Sequence, residues 1–257
     1  MSNMQDVKVL ITTRNEEDNL PVCLSAASFV DEIWVVDSFS TDRTPEIARD
    51  AGATLLQREY ISPSDQKNWA LDKMGEGWIL ILDADERVTD ELREEMNRVL
   101  EDPKFESYWI PRRNYFLGKL MKHAGWERDG VVRLIHGKDH RYGEALVHEK
   151  MLSNGPVGRL EHPLEHHSYR HLPDYLERMM RYSLSGGRQM HERGERSSFL
   201  RVLLRPGARF MKMFFLQRGL LDGAHGFLLC IISAFQVGLK HAVHWGLDHR
   251  IGNWTDE

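Results

Sequence analysis

The sequence predicts an α/β fold, a mostly parallel sheet with helices on both faces, followed by a helical tail. Three observations predict it. Short apolar runs alternate with helix-patterned stretches through the first hundred residues, the alternation stops after about Asp102, and helical spacing returns at Pro173. Strand–helix alternation of this kind points to parallel strands joined by crossover helices.

Taken in order, VKVLIT (Val7 to Thr12) reads as the first strand. EEDNLPVCLSAASF reads as a helix with Leu20, Leu24 and Ala27 on one face. EIWVVD (Glu32 to Asp37) is the second strand, and TPEIARDAG the next helix. There Thr44 is the expected cap, Pro45 suits the first turn and Gly52 stops the helix. ATLLQ is the third strand, and SDQKNWALDKM a helix with Ser64 as the expected cap. WILIL is the fourth strand, and TDELREEMNRVL a helix capped by Thr89 with acids in its first turn. Beyond Asp102, SYWIPRRNYFLG and GVVRLIHGKDHRYGEALVHEKML read as short strands and loops rich in Arg, His and aromatics. DYLERMMRYSLSGGRQMHERG is helical, with Tyr175, Met179 and Tyr182 along one side. The last sixty residues read as further helices, with Pro206-Gly207 expected to split the tail into two. The expected division is a nucleotide-binding-type domain over residues 1–170 and a helical region over 171–257.

The 257 residues suffice for one large or two small domains with a real core. A formal net charge of −5 gives no general reason to expect nucleic acid as a partner. Two cysteines, Cys23 and Cys230, each in apolar sequence, allow neither a disulfide framework nor a Cys-based zinc site. A reducing cytosol is the expected compartment. No basic-then-apolar leader opens the chain, and no stretch is expected to span a membrane. The best candidate, Gly226 to Leu239, falls short of about 18 apolar residues.

The strands of the first half end in polar residues: TTRNEE, DSFSTD and DADE. Ligands collect outside the carboxyl ends of an open parallel sheet. Asn15, Glu16, Asp37, Asp83 and Asp85 are therefore expected to meet at one crevice. WILILDADERV poses a problem there. Its apolar run reads as a strand buried on both faces, yet it ends in Asp83, Asp85 and Glu86, whose charges repel. A solvated turn, a neighbouring Lys or Arg, or a metal ion would compensate. Carboxylate oxygens are hard ligands that suit Mg²⁺ or Mn²⁺. Mg²⁺ is typically held by one or two carboxylates with substrate phosphates completing its shell, so a nucleoside diphosphate is the natural partner. Neither common Gly-rich phosphate loop is present. Side chains would share the phosphate charge with the cation, and Lys67, early in its helix, is the candidate. An exposed helix lysine is the alternative.

These motifs in order, ITTRNEEDNLPVCLSAASFVDEIWVVDSFSTDRTPEIARDAGA, SDQKNWAL and WILILDADERV, resemble the family-2 glycosyltransferases. Within that family they resemble the branch of lipopolysaccharide-core β-glucosyltransferases. The resemblance runs from about Val7 to Met151 and more loosely through the tail. It implies a GT-A fold, Rossmann-like in its nucleotide-binding half, with a UDP-sugar donor and inversion at the anomeric carbon. It also implies a glycan or lipid-linked acceptor in cell-envelope synthesis. By position it implies that Thr13, Asn15 and Glu16 form the nucleotide-contacting turn, that Asp37 reads the base, and that Lys67 lies near the nucleotide. Asp83 would face the ribose or a metal-bound water, and Asp85 would bind the metal.

An inverting transfer needs a carboxylate to take the acceptor hydroxyl's proton, and a metal stabilises the departing diphosphate. The wider family often uses the acid of an E-D pair. This chain has ALVHEK instead. In the branch it resembles, a His-Glu follows an R-L strand, which matches Arg133-Leu134 and His148-Glu149. Glu149 is then the expected base and His148 a positioning group, an ordinary surface Glu being the alternative for Glu149. In some GT-A enzymes a histidine beyond the acceptor region completes the metal shell, and among the histidines of LEHHSYRHL the resemblance makes His167 the choice; hydrogen-bonded structural or exposed histidines are the alternative. Trp126 and Arg133 are expected at the acceptor side, an aromatic face for a sugar ring and a guanidinium for anionic groups. Packing and a salt bridge are their alternative roles. The rival reading of the whole is a non-catalytic nucleotide-sugar or glycan-binding protein on the same fold, which would not need Glu149.

In the tail, FLRVLLRPGARFMKMFFLQRGLLDG mixes Arg201, Arg205, Arg209, Lys212 and Arg218 with Leu, Phe and Met and has no acid before Asp222. This mixture predicts an in-plane helix meeting anionic lipid, hence peripheral attachment to the cytoplasmic face of a membrane; a helix packed on the domain with its arginines paired to acids of the protein is the alternative.

Overall fold

The computed structural model describes residues 7–137, 140–143, 151–153, 155–169 and 171–251. The first half follows the predicted alternation: β1 (Val7–Thr13), α1 (Leu20–Ala26), β2 (Glu32–Asp37), α2 (Thr44–Asp50), β3 (Thr54–Gln57), α3 (Pro63–Met74) and β4 (Trp78–Asp83). The chain continues through β5 (Glu86–Val88), α4 (Asp90–Glu101), β6 (Ser107–Phe116), β7 (Lys119–Leu120) and β8 (Gly130–His136). Four short strands follow: β9 (Arg141–Tyr142), β10 (Met151–Leu152), β11 (Gly158–Arg159) and β12 (Leu164–Tyr169). The helical region comprises α5 (Leu172–Glu192), α6 (Phe199–Met211) and α7 (Gly223–Asp248), with a π-turn over Lys212–Leu216 and a 3₁₀ turn over Gly219–Asp222 between the last two.

The chain divides into two compact units, residues 1–113 with 128–166, and residues 114–127 with 167–257. In the first, β3, β2, β1 and β4 lie side by side and parallel. β8 and then β6 extend the sheet antiparallel. β4 is buried along nearly its whole length, as its unbroken apolar run requires: Ile79, Leu80, Ile81 and Leu82 are all solvent-inaccessible. Each such side chain contributes roughly 1.5–3 kcal/mol on burial. Side chains on the two faces of the strands enter two separate clusters, one around Val9, Ile11, Leu80 and Leu82 against α1 and α4, the other around Leu10, Ile79, Ile81 and Met74 of α3. The register sets Thr13 beside Asp37, Thr12 beside Asp83 and Asp37 beside Gln57, so the polar strand ends share one edge.

Caps differ from expectation in two helices. Ser62, not Ser64, caps α3, its hydroxyl accepting the Asp65 N–H at 3.2 Å. Thr44 is the first residue of α2 rather than its cap; Asp42 Oδ1 accepts the Thr44 N–H at 3.0 Å, and the Thr44 hydroxyl is used elsewhere. Thr89 caps α4 as predicted, accepting from the Leu92 N–H at 3.2 Å.

The second unit takes in residues 114–127 because Phe116, Met121 and Ala124 pack in one core with Tyr175, Met179, Met213 and Leu229. Along α5 the buried line is Tyr175, Met179, Ser183 and Gly187. Tyr182, expected on that side, is exposed, because strict four-residue steps rather than a seven-residue step follow the contact with α7. Gly187 permits that contact: a Cβ there would lie 2.7 Å from Val243. α6 does not break at Pro206-Gly207 as the sequence predicted. It runs through Pro206, whose ring packs where a Cβ on Gly238 of α7 would meet it at 2.9 Å, and packing outweighs the lost backbone hydrogen bond. The expectation that no segment reaches membrane-spanning length also needs correction: Gly219–Asp248 is long and apolar enough by length and composition.

Candidate functional site

The site lies within the first unit, at the carboxyl edge of the parallel strands. Its first wall is the pair of turns after β1 and β2. Asn15 takes a left-handed backbone, φ 53°, tolerable for an Asn in a tight turn. Its N–H donates to the Ser40 hydroxyl at 2.8 Å, and its Oδ1 accepts the Thr41 N–H at 2.8 Å. The Glu16 N–H donates to the Thr44 hydroxyl at 2.8 Å, while its carboxylate accepts from the Asn19 amide at 2.7 Å at the start of α1. Asp37 is wholly buried. It accepts from the Thr13 hydroxyl at 3.3 Å, the Ser40 N–H at 3.0 Å and the Gln57 amide at 3.0 Å, and pairs closely with the Ser40 hydroxyl. Thr13, Asn15, Glu16 and Asp37 are thus brought together, with Asp37 as the bracket that clamps the two turns. Between them Phe39 stands 58% exposed with φ 52°, a left-handed conformation rare for a bulky residue.

The second wall is the acid cluster after β4, and here protein cations balance the charges. Asp83 pairs with Lys67 Nζ at 3.0 Å and closely with the Arg133 guanidinium, and accepts from the Thr12 hydroxyl at 3.4 Å. Glu86 is solvent-inaccessible. Its Oε2 accepts the Asp83 N–H at 3.0 Å, and its Oε1 accepts from Arg133 at 3.0 Å and Arg112 at 3.2 Å. Arg112 also grips Asp129 at 2.7 Å. Burial alone would raise the Asp83 carboxyl, but Arg133 and then Lys67 outweigh it and hold it well below the usual carboxylate range. Glu86 is lowered too, burial being overcome chiefly by Arg133. The Arg133 guanidinium is raised despite its burial, because Asp83 and Glu86 face it. Lys67 is 4% exposed, so it is not a surface lysine; its ammonium sits 5.2 Å from the Tyr142 ring centroid. Tyr142 is held in place by two 2.9 Å bonds between its backbone and the Asn68 side chain.

Asp85 differs from its neighbours. Its described partner is His166, whose Nε2 lies 3.6 Å from Asp85 Oδ1. Successive side chains on a strand point to opposite faces. His167 accordingly stacks on Tyr115 with centroids 4.2 Å apart, in the second unit, while His166 meets Asp85. A carboxylate oxygen and an imidazole nitrogen side by side are a mixed donor pair that suits Mn²⁺ better than Mg²⁺. Among the described residues no three metal-ligating side chains converge, so the pair fits only an open shell completed by water and phosphate oxygens.

Trp126 and Arg133, expected at the acceptor side, are used for packing and for a salt bridge. Trp126 belongs to the second unit's core, with ring centroids 6.1 Å from both Phe116 and Tyr169. Arg133 is 3% exposed and spent on Asp83 and Glu86. His148 and Glu149 lie outside the described residues. The sequence reading placed Glu86 among the acids that a neighbouring Lys or Arg would compensate, but it missed Arg112 and Tyr142, which carry no local signal for that role.

The model of the family described as "Glycosyl transferase family 2" matches residues 8–153, more than half of the chain. The lipopolysaccharide core biosynthesis glycosyltransferase LpsC of Rhizobium meliloti is 25% identical over 252 residues, covering 92% of this chain and 93% of that protein. An uncharacterised glycosyltransferase of Rickettsia typhi is 25% identical over 256 residues, covering 93% of this chain and 86% of its own. Among solved structures, glucosyl-3-phosphoglycerate synthase from Mycobacterium tuberculosis, in complex with Mn²⁺, UDP and glucosyl-3-phosphoglycerate, is 20% identical over 44% of this chain and 45% of that one, with a TM-score of 0.36. With strand ends that gather acids and a buried lysine at one edge, and a family model spanning those same elements, the chain belongs to glycosyl transferase family 2.

Proposed function

We propose that this glycosyltransferase is an inverting enzyme that moves a sugar from a UDP-sugar to a glycan or lipid-linked acceptor of the cell envelope. The observation that carries the reading is the division of labour at the end of β4. Asp83 is neutralised by Lys67 and Arg133, whereas Asp85 faces His166 across 3.6 Å. LpsC, similar over nearly the whole chain, supports an envelope glycan as the product.

In this reading the turns around Asn15 and Asp37 seat the nucleoside. Lys67, braced by Asp83, adds positive charge on the phosphate side. Asp85 and His166 would hold a divalent cation, which when bound supplies charge to the leaving diphosphate. Glu149 is the proposed base and His148 its positioning group. The acceptor oxygen bonds to the anomeric carbon as the bond from that carbon to the diphosphate breaks, and the acceptor's proton passes to the Glu149 carboxylate.

The test is calorimetric titration of UDP in excess Mn²⁺, together with UDP release from UDP-glucose and other UDP-sugars without acceptor. The wild type is expected to bind UDP in a metal-dependent way and to release it slowly from its donor. Asp85→Ala should weaken metal-dependent binding by more than tenfold and leave thermal unfolding unchanged, since no described Lys or Arg depends on this carboxylate. Unchanged UDP affinity in the variant would remove the metal role. Binding without UDP release from any donor would favour the non-catalytic reading.

A further inference from the structure

We infer that the second unit docks on an anionic lipid surface through the outward face of α6 and one exposed line of α7, lying in the plane of the membrane rather than crossing it. The inference is independent of the proposed chemistry. Leu200, Leu203, Leu204, Met211 and Phe215 are 50–61% exposed, and no residue of α6 is buried. Their spacing, with Gly207 and Ala208 between, puts them on a single helical stripe. Val202, Pro206 and Phe210 are partly covered on the other side, where α6 meets α7. The outward stripe is thus the side that packing leaves over. Where the two helices pack, Phe210 and Phe214 meet Phe227 of α7 with ring centroids 6.0 and 5.8 Å apart, and Phe227 starts a second exposed line. From there Phe227, Ile231 and Phe235, 42–59% exposed, repeat every four residues. A patch of this kind on a monomer marks an interaction surface.

Charge selects the occupant. Residues 196–221 carry five arginines and one lysine and no acid. The next acid, Asp222, is 4% exposed and accepts from the His123 N–H at 2.9 Å and the Lys122 N–H at 3.3 Å, so it faces inward. Arg205, Lys212 and Arg218 are exposed and flank the apolar stripe. An apolar stripe edged by basic side chains without acids is complementary to acyl chains under anionic headgroups. A second copy of this chain would bring the same positive charges together. A spanning role for α7 is disfavoured by its other sides: Ser233, His241 and His244 are buried within the unit, and its exposed apolar residues form a line rather than a full circumference.

The experiment is sedimentation of the full chain with vesicles of phosphatidylcholine alone or with phosphatidylglycerol, at low and high salt, with light scattering of the free protein. The wild type should sediment with the anionic vesicles, less so as salt rises. The triple variant Arg205→Gln, Lys212→Gln, Arg218→Gln should weaken partition on the order of 100-fold at low salt, about fivefold per charge. Leu203→Glu with Leu204→Glu, both on exposed positions and so compatible with folding, should abolish it. Folded wild type that stays in the supernatant overturns the inference, as do variants that sediment like wild type. Equal sedimentation with both vesicle types at every salt would indicate insertion of α7. A dimer in solution that Leu203→Glu dissociates, without vesicle binding, would assign the face to a second copy.

Discussion

Arg133 shows how one buried guanidinium organises the site. It is 3% exposed and meets Asp83 and Glu86, with its Nη1 also 3.4 Å from the Tyr142 hydroxyl. Removing one partner of a buried ion network leaves uncompensated charge, which costs roughly 3–5 kcal/mol. Arg133→Met is therefore expected to lower stability by about that amount in urea unfolding, with Arg133→Lys, which keeps the charge and loses the fork, in between. A loss below about 1 kcal/mol, the level of an exposed pair, would show that the network is open to solvent. Asp37 teaches a related lesson. With four donors from Thr13, Ser40 and Gln57 on its carboxylate, it acts first as the clamp between two turns.

At the scale of elements, capping and packing explain where helices begin and continue. The cap of α3 falls on Ser62, which has the extended backbone a cap needs, φ −154° and ψ 162°. Residue 64, although also a serine, is already helical. α7 carries a pH response of its own. His241 is pushed below the ordinary imidazole value by burial first, and then by Lys240, Arg205, Arg201 and His244 around it. Its folded value lies below the unfolded one of about 6.5, so the unfolded chain takes the proton first as pH falls. Its contribution is complete above about pH 6.5 and is lost as pH drops towards the folded value. Stability measured between pH 5 and 7 should rise with pH, and His241→Gln should flatten that rise. An identical slope in the variant would assign the response to other groups.

For the whole molecule, the buried acids set an acid limit. Asp83 and Glu86 both ionise below their ordinary values of about 3.9 and 4.3, because Arg133 outweighs their burial. Their stabilising contribution is present above that range and is lost as pH falls through the lower folded values. Urea midpoints should therefore drop steeply below about pH 4. In the double variant Asp83→Asn, Glu86→Gln the drop should be shallower, from a lower plateau. A drop of unchanged steepness would place the acid sensitivity elsewhere.

The sequence by itself determined the parallel strands, their helices and the edge where the polar residues gather. Those features follow from local periodicity, and a strand's polar end needs no knowledge of its neighbours. It also marked the acids of DADE as charges that need compensation, and the tail as basic and apolar. Only the tertiary structure decided which charges meet. Lys67, on local grounds as good an exposed helix residue as a ligand, is buried against Asp83. Arg133, expected beside the acceptor, is consumed by Asp83 and Glu86, fifty and forty-seven residues away in the chain. Trp126 joined the second unit's core, and His166 rather than His167 met Asp85 because the strand's alternation turns neighbours to opposite faces. α6 ran through Pro206 because α7 offered Gly238 opposite the ring. Periodicity is a property of a few consecutive residues, whereas compensation of a buried charge depends on side chains that only folding brings within about 4 Å.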